Sequence, residues 1–353
     1  MIANVRLAAN LTPTLPSPIA GQGCKEATMD LLLRDADIDP APLVGKRVAI
    51  LGYGNQGRAQ ALNLHDSGID VVVGLRGGSG STVEAESAGL DTALLDAAVG
   101  SADIVMMLAP DEIHHALYRE IEPNLRDGAA LGFSHGLSIR FGFIEPRADL
   151  DVFLLAPKGP GTALRSLYQQ GKGMIALWAV HQDRSSRAGA IALAYGRAIG
   201  CARAGLIASS FAEEAEADLF NEQAVVWGGV PELLVAGFET LVAGGISPEV
   251  ALLECVGELK LIAELIDDRG IAGMREAISN TAELGATIGG TRIIDASVRD
   301  RMRAVLDEVR AGKFAAALSQ EEADGYPRLE RARADSRATL LEKTFEKLRE
   351  IEG

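Results

Sequence analysis

Two pairs of carboxylates in the C-terminal half of the chain have a spacing that could bind metal. Asp218 and Glu222, in "ADLFNEQAVVWGG", are four residues apart, and Glu254 and Glu258, in "LLECVGELKLI", repeat that spacing. Residues four apart share one helix face, where two carboxylates repel each other unless a cation neutralises them. One such pair is commonly a solvated face, but both pairs stand among apolar residues, and buried charges must be paired or metal-bound. We therefore predict oxygen-preferring Mg²⁺ or Mn²⁺ ions at these carboxylates.

Three further polar residues could belong to the same site. His135, in "GFSHGLSI", and Lys158, in "LLAPKGPG", each follow an apolar strand, where doubly wound folds bind ligands. Ser279, in "REAISNTAELG", stands near a helical break. A lone strand-end His or Lys is commonly structural, so these residues are candidates only beside the carboxylates. We assign no chemistry to three other histidines, His114, His115 and His181.

A glycine motif predicts a nucleotide cofactor. Gly52, Gly54 and Gly57 form G-x-G-x-x-G between the apolar strand "RVAIL" and a helical stretch. The glycines allow a tight turn, close approach of the backbone to a pyrophosphate, and packing of the helix on the strand. We predict a dinucleotide on this loop, contacted by Gly52, Tyr53, Gly54, Asn55, Gln56 and Gly57.

The end of the next strand favours NADP over NAD. An NAD site uses an acid there to bind the ribose hydroxyls, but "GLRGGSGST" contains none before Glu84. Arg76, Ser79 and Ser81 could instead hold a 2′-phosphate through a guanidinium and two hydroxyls. The alternative is an exposed loop whose Arg and Ser side chains are solvated.

The elements that must position these residues divide the chain near 205–210. Short apolar strands alternate with helical patterns in the first part, whereas after about residue 185 only helical spacing is found. We predict an α/β fold: an N-terminal extension at 1–28, which is a disordered tail or precedes a later start at Met29, a Rossmann-like NADP-binding domain at 29–208, and an all-helical domain at 209–353. The predicted strands are 47–51, 70–75, 103–108, 129–133, 151–156 and 174–180. The predicted helices of the second part are 187–198, 212–227, 230–243, 247–268 and 297–310, with surface helices within 319–353.

Composition narrows the class of partner. The net charge of the 353 residues is −15, which argues against nucleic acid or an anionic membrane as a partner. No uninterrupted apolar run reaches the ~18–20 residues of a membrane span. Cys24, Cys201 and Cys255 are scattered, so they predict neither disulfides nor a zinc site. We expect a cytoplasmic enzyme with a small-molecule substrate.

Nine strings, in order, resemble blocks of the ketol-acid reductoisomerase (acetohydroxy acid isomeroreductase) family. The resemblance covers 29–330, and the room for one helical domain makes the chain similar to the short form of the family. The strings are "GYGNQGRAQALNLHDSGIDVVVGLR", "LAPDEIHHALYREIEPNL", "FSHGLSIRFG", "VFLLAPKGPG", "ALWAVHQD", "DLFNEQAV", "GFETLVAGG", "ECVGELKLI" and "ISNTAELG".

This resemblance implies a role for each candidate. Asp218 and Glu222 match one metal-binding pair and Glu254 and Glu258 the other, and in the family the two pairs come from different subunits and bind two Mg²⁺. His135, Lys158 and Glu222 are implied as catalytic residues, Ser279 as a ligand of the substrate carboxylate, and His135 and Gly161 as neighbours of NADPH. The helical domain is implied to be knotted, and the assembly to be a homodimer or higher homo-oligomer.

The implied reaction converts a 2-hydroxy-2-alkyl-3-oxo acid, such as 2-acetolactate, into a 2,3-dihydroxy acid. The alkyl group migrates from C2 to C3, and NADPH then reduces the new 2-oxo group. This is the reaction of branched-chain amino-acid (valine and isoleucine) biosynthesis.

Four departures from the family pattern concern the pocket lining. Trp227 stands where the family has a cysteine bordering the alkyl pocket. Pro231 replaces a threonine, Thr162 a histidine and Leu284 an aromatic residue. Three alternatives therefore stay open: a paralogue that uses another ketol acid in specialised metabolism, an NADP-dependent 2-oxo acid reductase without isomerase activity, and a non-catalytic homologue.

Overall fold

The computed structural model describes residues 32–352, which form one nine-stranded sheet and sixteen α-helices. The predicted disorder of 1–28 lies outside this range. The strands, β1 to β9, are Leu32–Leu33, Arg47–Leu51, Asp70–Leu75, Asp91–Leu94, Ile104–Met107, Ala130–Phe133, Asp151–Pro157, Ala176–Gln182 and Leu206–Ala208.

The helices alternate with strands up to β9 and then follow one another. Helices α1 to α8 are Asn55–Asp66, Ser81–Ser87, Leu95–Ser101, His114–Ile121, Leu137–Arg140, Gly161–Gln169, Ala188–Ala198 and Phe211–Ala224. Helices α9 to α16 are Gly229–Ala243, Pro248–Leu252, Leu259–Ala277, Asn280–Ile293, Ala296–Arg310, Lys313–Ala323, Pro327–Ala338 and Leu340–Glu352.

The sheet has the order β1-β9-β8-β7-β6-β5-β2-β3-β4. Strands β2 to β7 are parallel, whereas β8 is antiparallel to β7 and β1 is antiparallel to β9. The chain builds outward from β2 to β4 and then returns to add β5 on the other side of β2. The crevice between β2 and β5 is therefore the topological switch point, where doubly wound folds bind their ligands.

Helices cover both faces of the sheet, so its central strands are continuous apolar runs. In β2, Val48 and Ile50 pack into one core cluster, and Ala49 and Leu51 pack into the cluster on the opposite face. All four are fully buried. This rigid sheet fixes the positions of the loops that leave its carboxyl edge.

The predicted α/β fold class is confirmed, with corrections to individual elements. Each of the six predicted strands overlaps an observed strand. The expectation of no strand after residue 185 is wrong, because Leu206–Ala208 pairs with β8 and β1; three residues are too few for a detectable pattern. The helix predicted at 212–227 ends at Ala224, and the helix predicted at 247–268 is interrupted by a π-helical turn at Leu253–Gly257.

The middle of the helical part has little cover within the chain. No residue of α11 or α12 is buried. The segment Phe211–Ala243 has the length and hydropathy of a membrane span, although a turn interrupts it at 225–228 and Glu232 and Glu239 lie in its most apolar part. Only 6% of that part is buried inside the chain. The chain therefore presents an extended apolar surface that its own residues do not bury.

Candidate active site

A cleft of about 640 Å³ opens where the carboxyl edge of the sheet meets the first helix of the helical part. His135 lies two residues after β6, and Lys158 directly follows β7. Asp218 and Glu222 project into the same cleft from α8. The fold thus brings together four of the residues singled out in the sequence. Apolar cover comes from Leu137, Leu219, Val226, Trp227, Phe314 and Leu318.

A third carboxylate on α8, Glu214, organises the polar groups of the cleft. Its Oε1 accepts a hydrogen bond from Lys158 Nζ at 2.7 Å. Its Oε2 accepts hydrogen bonds from His135 Nδ1 at 3.0 Å and from the Gly136 N–H at 2.7 Å. Only 1% of Glu214 is exposed, so these partners satisfy a carboxylate that water does not reach.

The sequence reasoning missed Glu214, although a signal was present. Glu214 precedes Asp218 by four residues, as Asp218 precedes Glu222, so three carboxylates repeat on one face of α8. The close approach of α8 to the loop after β6 depends on Gly136, where a Cβ would collide with the Phe211 carbonyl oxygen. That approach allows Glu214 to reach both His135 and Lys158.

Glu214 also sets the charge states in the cleft. Burial disfavours the imidazolium, but the hydrogen bond and charge of Glu214 outweigh it and raise the pKa of His135 to about 9. Burial likewise opposes the ionised carboxylate, yet His135 and Lys158 lower the pKa of Glu214 to about 2. The pKa of Lys158 is raised, because Glu214 and Asp218 outweigh the effect of burial. At neutral pH the cleft therefore holds two cations against a buried anion.

The ligand atoms of His135, Glu214 and Asp218 lie within 4.8 Å of one another, but His135 and Glu214 are hydrogen-bonded to each other. Asp218 and its neighbour Glu222 are therefore the carboxylates that could hold a metal ion. Asp218 Oδ1 accepts a hydrogen bond from Lys158 Nζ at 3.0 Å, and its Oδ2 lies 3.9 Å from His135 Nδ1. Among the described residues no Lys, Arg or His forms an ion pair with Glu222. Burial and then the charge of Asp218 raise the pKa of Glu222. A hard cation between the two carboxylates would relieve this repulsion, whereas Glu214 is already saturated by protein donors.

The second predicted pair and Ser279 do not reach this cleft within the chain. Glu254 lies in the π-helical turn and Glu258 caps α11, and both are exposed. Ser279 is the N-cap of α12, where its Oγ accepts a hydrogen bond from the Ala282 N–H at 3.2 Å. Their predicted roles as metal and substrate ligands depend on a second chain and stay predictions.

The glycine-rich loop has the geometry that a dinucleotide requires. Gly52 has a φ of +100° and passes so close to the loop after β5 that a Cβ would lie 2.7 Å from the Ala109 nitrogen. A Cβ on Gly57 would collide with the Gly52 carbonyl oxygen, so Gly57 lets α1 pack on the turn. A Cβ on Gly54 would touch nothing, which leaves space for a ligand. Within 32–352 the buried Tyr53 hydroxyl has no hydrogen-bond partner.

Three other predicted cofactor contacts join this loop to the loop after β7. Gln56 Nε2 donates a hydrogen bond to the Gly159 carbonyl at 2.8 Å. Asn55 Oδ1 accepts one from the Thr162 N–H at 2.8 Å, and a Cβ on Gly161 would collide with Asn55. These contacts hold the two loops together beside Lys158. The roles of Asn55, Gln56 and Gly161 toward a cofactor stay predictions.

A second cleft lies beyond the glycine-rich loop, at the end of β3. Arg76, Ser79 and Ser81 line it, together with Gly52 and Tyr53. Ser79 Oγ accepts a hydrogen bond from the Ser81 N–H at 3.3 Å. A dinucleotide across the switch point would place its adenosine here and its nicotinamide near His135.

Trp227 forms part of the wall of the active-site cleft. It lies in the turn between α8 and α9, and 66% of it is exposed. The indole is thus available to a ligand beside Asp218 and Glu222. Of the other departures, Pro231 lies in the first turn of α9 and Leu284 is exposed on α12.

Two family models together match nearly all of the described chain. One is described as "Acetohydroxy acid isomeroreductase, NADPH-binding domain" and matches residues 42–205. The other is described as "Ketol-acid reductoisomerase, C-terminal domain" and matches residues 211–352.

A solved structure gives the same result for the family, and a second one resembles the chain in fold. An NADH-preferring ketol-acid reductoisomerase from an uncultured archean is 41% identical, with a TM-score of 0.88 over 90% of this chain and 98% of that chain. A putative oxidoreductase from Jannaschia sp. CCS1 is 19% identical, with a TM-score of 0.58 over 78% of this chain and 98% of that chain. The second similarity concerns the fold alone.

Proposed function

The chain belongs to the ketol-acid reductoisomerase family, and on that premise we propose that it is an NADPH- and Mg²⁺-dependent enzyme of branched-chain amino-acid biosynthesis. Its substrate would be a 2-hydroxy-2-alkyl-3-oxo acid of the 2-acetolactate type. One observation carries the proposal: a single cleft joins the carboxyl edge of a dinucleotide-binding sheet to a carboxylate pair and to Lys158. Alkyl migration followed by reduction needs both halves of this arrangement.

Asp218 and Glu222 would hold a hard cation, with Glu254 and Glu258 completing a two-ion site. Mg²⁺ bound there would stabilise the negative charge that develops on the oxygens of the substrate. Lys158, held by Glu214 and Asp218, can donate a hydrogen bond to the substrate oxygen whose proton moves during alkyl migration. Preorganised donors of this kind need little rearrangement in the transition state.

His135 would stand beside the carbon that receives the hydride, because it lines the cleft next to the carboxyl edge of the sheet. NADPH, when bound, would supply that hydride to the 2-oxo group formed by migration. The protonated imidazole is held by Glu214 and can stabilise the oxygen that becomes an alkoxide as the hydride arrives. The choice of NADPH is supported by Arg76, Ser79 and Ser81 at the end of β3, where no carboxylate of that strand competes for the ribose.

We place the complete site between two subunits. A second copy of the chain would cover α11 and α12, which have no buried residue, and the exposed apolar face of 211–243. Glu254 and Glu258 would then lie opposite the partner's cleft. A homodimer is the smallest assembly that satisfies this arrangement, and the cytoplasm is its proposed location.

The metal assignment is tested with Glu222→Gln. This variant should oxidise NADPH with 2-acetolactate and Mg²⁺ about 100-fold or more slowly. The reason is that the cation that stabilises the reacting oxygens of the substrate loses one of its carboxylate ligands. NADPH binding, followed by fluorescence, should be unchanged. Glu213→Gln, an exposed position of the same helix that bonds Ser209, is the control and should keep full turnover. Unchanged turnover in Glu222→Gln would show that Glu222 is not a metal ligand.

The exposed indole of Trp227 favours a second candidate function, in which the substrate is a different ketol acid. An indole in the wall of the cleft reduces the space for the alkyl group or offers an aromatic surface. A panel of 2-hydroxy-3-oxo acids with Mg²⁺ and NADPH distinguishes this candidate from the first. Turnover of only the already rearranged 3-hydroxy-2-oxo acid would instead indicate a reductase without isomerase activity.

A further inference from the structure

A carboxylate faces the one guanidinium that we assign to the 2′-phosphate. Arg76 Nη2 lies 3.9 Å from Glu120 Oε2. Ile113 and Leu117 line the second cleft together with Arg76. Glu120 follows Leu117 by three residues, so it shares that face of α4. The carboxyl end of β3 carries no acid, and a neighbouring helix thus brings one beside Arg76.

The pair is open to solvent, so either side chain is free to change partners. The side chains of Arg76 and Glu120 are 60% and 53% exposed. Exposed ion pairs at such distances hold weakly and leave both groups able to meet a ligand. A cofactor at the end of β3 therefore encounters a positive and a negative group together.

These two charges act in opposite directions on a 2′-phosphate. The phosphate of NADPH carries a charge close to −2 at neutral pH, whereas the 2′-hydroxyl of NADH is neutral. Arg76 attracts the phosphate and Glu120 repels it. A carboxylate is also the group that NAD sites use to accept hydrogen bonds from the ribose hydroxyls.

We propose that Glu120 is a specificity-determining residue that lowers the preference of this enzyme for NADPH and retains binding of NADH. This inference rests on the proposed function, because it takes the cleft beside Arg76 as the site of the adenosine ribose. Glu120 acts on cofactor choice from α4, outside the strand-end segment "GLRGGSGST" that was used to predict NADP.

The test is equilibrium fluorescence titration of the full chain with NADPH and with NADH, without substrate. Glu120→Gln should bind NADPH about five-fold more tightly, the effect of a unit charge roughly 7 Å from a dianion in water. NADH affinity should be nearly unchanged, since the amide can still hydrogen-bond a hydroxyl. Raising the ionic strength should diminish the gain for NADPH, because the two groups are exposed.

Two further variants make the outcomes distinct. Glu122→Gln removes the same charge two residues along, at a position with no ion pair to Arg76, and should leave both affinities unchanged. Arg76→Gln should weaken NADPH about ten-fold and NADH little. If Arg76→Gln does so but Glu120→Gln changes neither cofactor, or both equally, the role of Glu120 is overturned and the NADPH site stands. If Arg76→Gln leaves the ratio of the two affinities unchanged, the proposed NADPH site fails as well.

Discussion

Glu214 controls the charge of the cleft although it projects toward protein groups rather than the open space. It is the carboxylate that holds both Lys158 and His135, and the backbone of Gly136 fixes its position. Breaking a buried ion pair by removing one partner is costly, because the remaining charge is left uncompensated. Glu214 therefore contributes both to the stability of the fold and to the charge and position of Lys158 and His135.

Glu214→Gln should lower the free energy of unfolding at pH 7 by about 3 kcal/mol, as loss of a buried charged partner does. The pKa of His135 should fall below its wild-type value of about 9, because the carboxylate that raises it is gone. Urea unfolding in EDTA measures the first effect, and NMR titration of the imidazole measures the second. Glu213→Gln is the control. A variant with wild-type stability and an unshifted His135 would contradict the role of Glu214.

The ion pair of His135 and Glu214 predicts how the free energy of unfolding depends on pH. His135 has a raised pKa in the fold, so its contribution is complete below its ordinary value of 6.5 and is lost as the pH rises through about 9. Glu214 has a lowered pKa, so its contribution is complete above 4.5 and is lost as the pH falls through about 2. In Glu214→Gln the loss of stability between pH 6.5 and 9 should be smaller than in the wild type.

At the scale of elements, the turn between β2 and α1 separates two roles of glycine. Gly57 lets the helix pack against the turn, and Gly54 leaves room for a ligand. The two positions belong to one motif, yet adding a methyl group should lower stability at Gly57 and cofactor affinity at Gly54.

Gly57→Ala should lose about 2 kcal/mol or more of stability, because the added Cβ meets the backbone of Gly52 and neither can move aside. Gly54→Ala should unfold at the wild-type temperature, since its Cβ meets no protein atom within 4 Å. It should nevertheless bind NADPH at least ~10-fold more weakly, because the pyrophosphate can no longer approach the backbone. Thermal unfolding and fluorescence titration measure the two effects. Normal NADPH binding by Gly54→Ala would contradict the assigned cofactor position.

At the scale of the whole molecule, the proposed site is incomplete within one chain. The first carboxylate pair lines the cleft, whereas Glu254, Glu258 and Ser279 are exposed on elements that the chain itself barely covers. The proposed second subunit would cover the exposed helices and would bring the separated candidate ligands to the cleft.

Mixed dimers provide the test. Asp218→Asn and Glu254→Gln should each be inactive alone, because each removes a ligand from every site. Co-expressed in equal amounts, they should recover about a quarter of wild-type activity, since half of the dimers are mixed and one site in each is intact. Folded, dimeric variants that recover nothing when mixed would contradict a site shared between subunits. Ultracentrifugation of each variant is the control for assembly.

Local patterns in the sequence determined much of this protein. Period and length indicated the central strands and the helices, because burial on both faces of a sheet leaves continuous apolar runs. The strand, glycine motif and helix at 47–66 predicted the cofactor loop, because close backbone approach leaves glycine as the residue that fits. The spacing of Asp218 and Glu222 predicted a shared helix face. Strands of two or three residues, Leu32–Leu33 and Leu206–Ala208, carry too little pattern to be found in this way.

Tertiary structure alone decided which of these residues meet. Glu214 joins His135 and Lys158, which stand more than fifty residues away in the sequence, because α8 packs against the edge of the sheet. Glu120 reaches Arg76 because α4 and β3 border one cleft. Such meetings depend on the packing of elements distant in sequence, and no local spacing encodes them. The same packing leaves Glu254 and Glu258 outside the cleft, at a surface that one chain cannot cover.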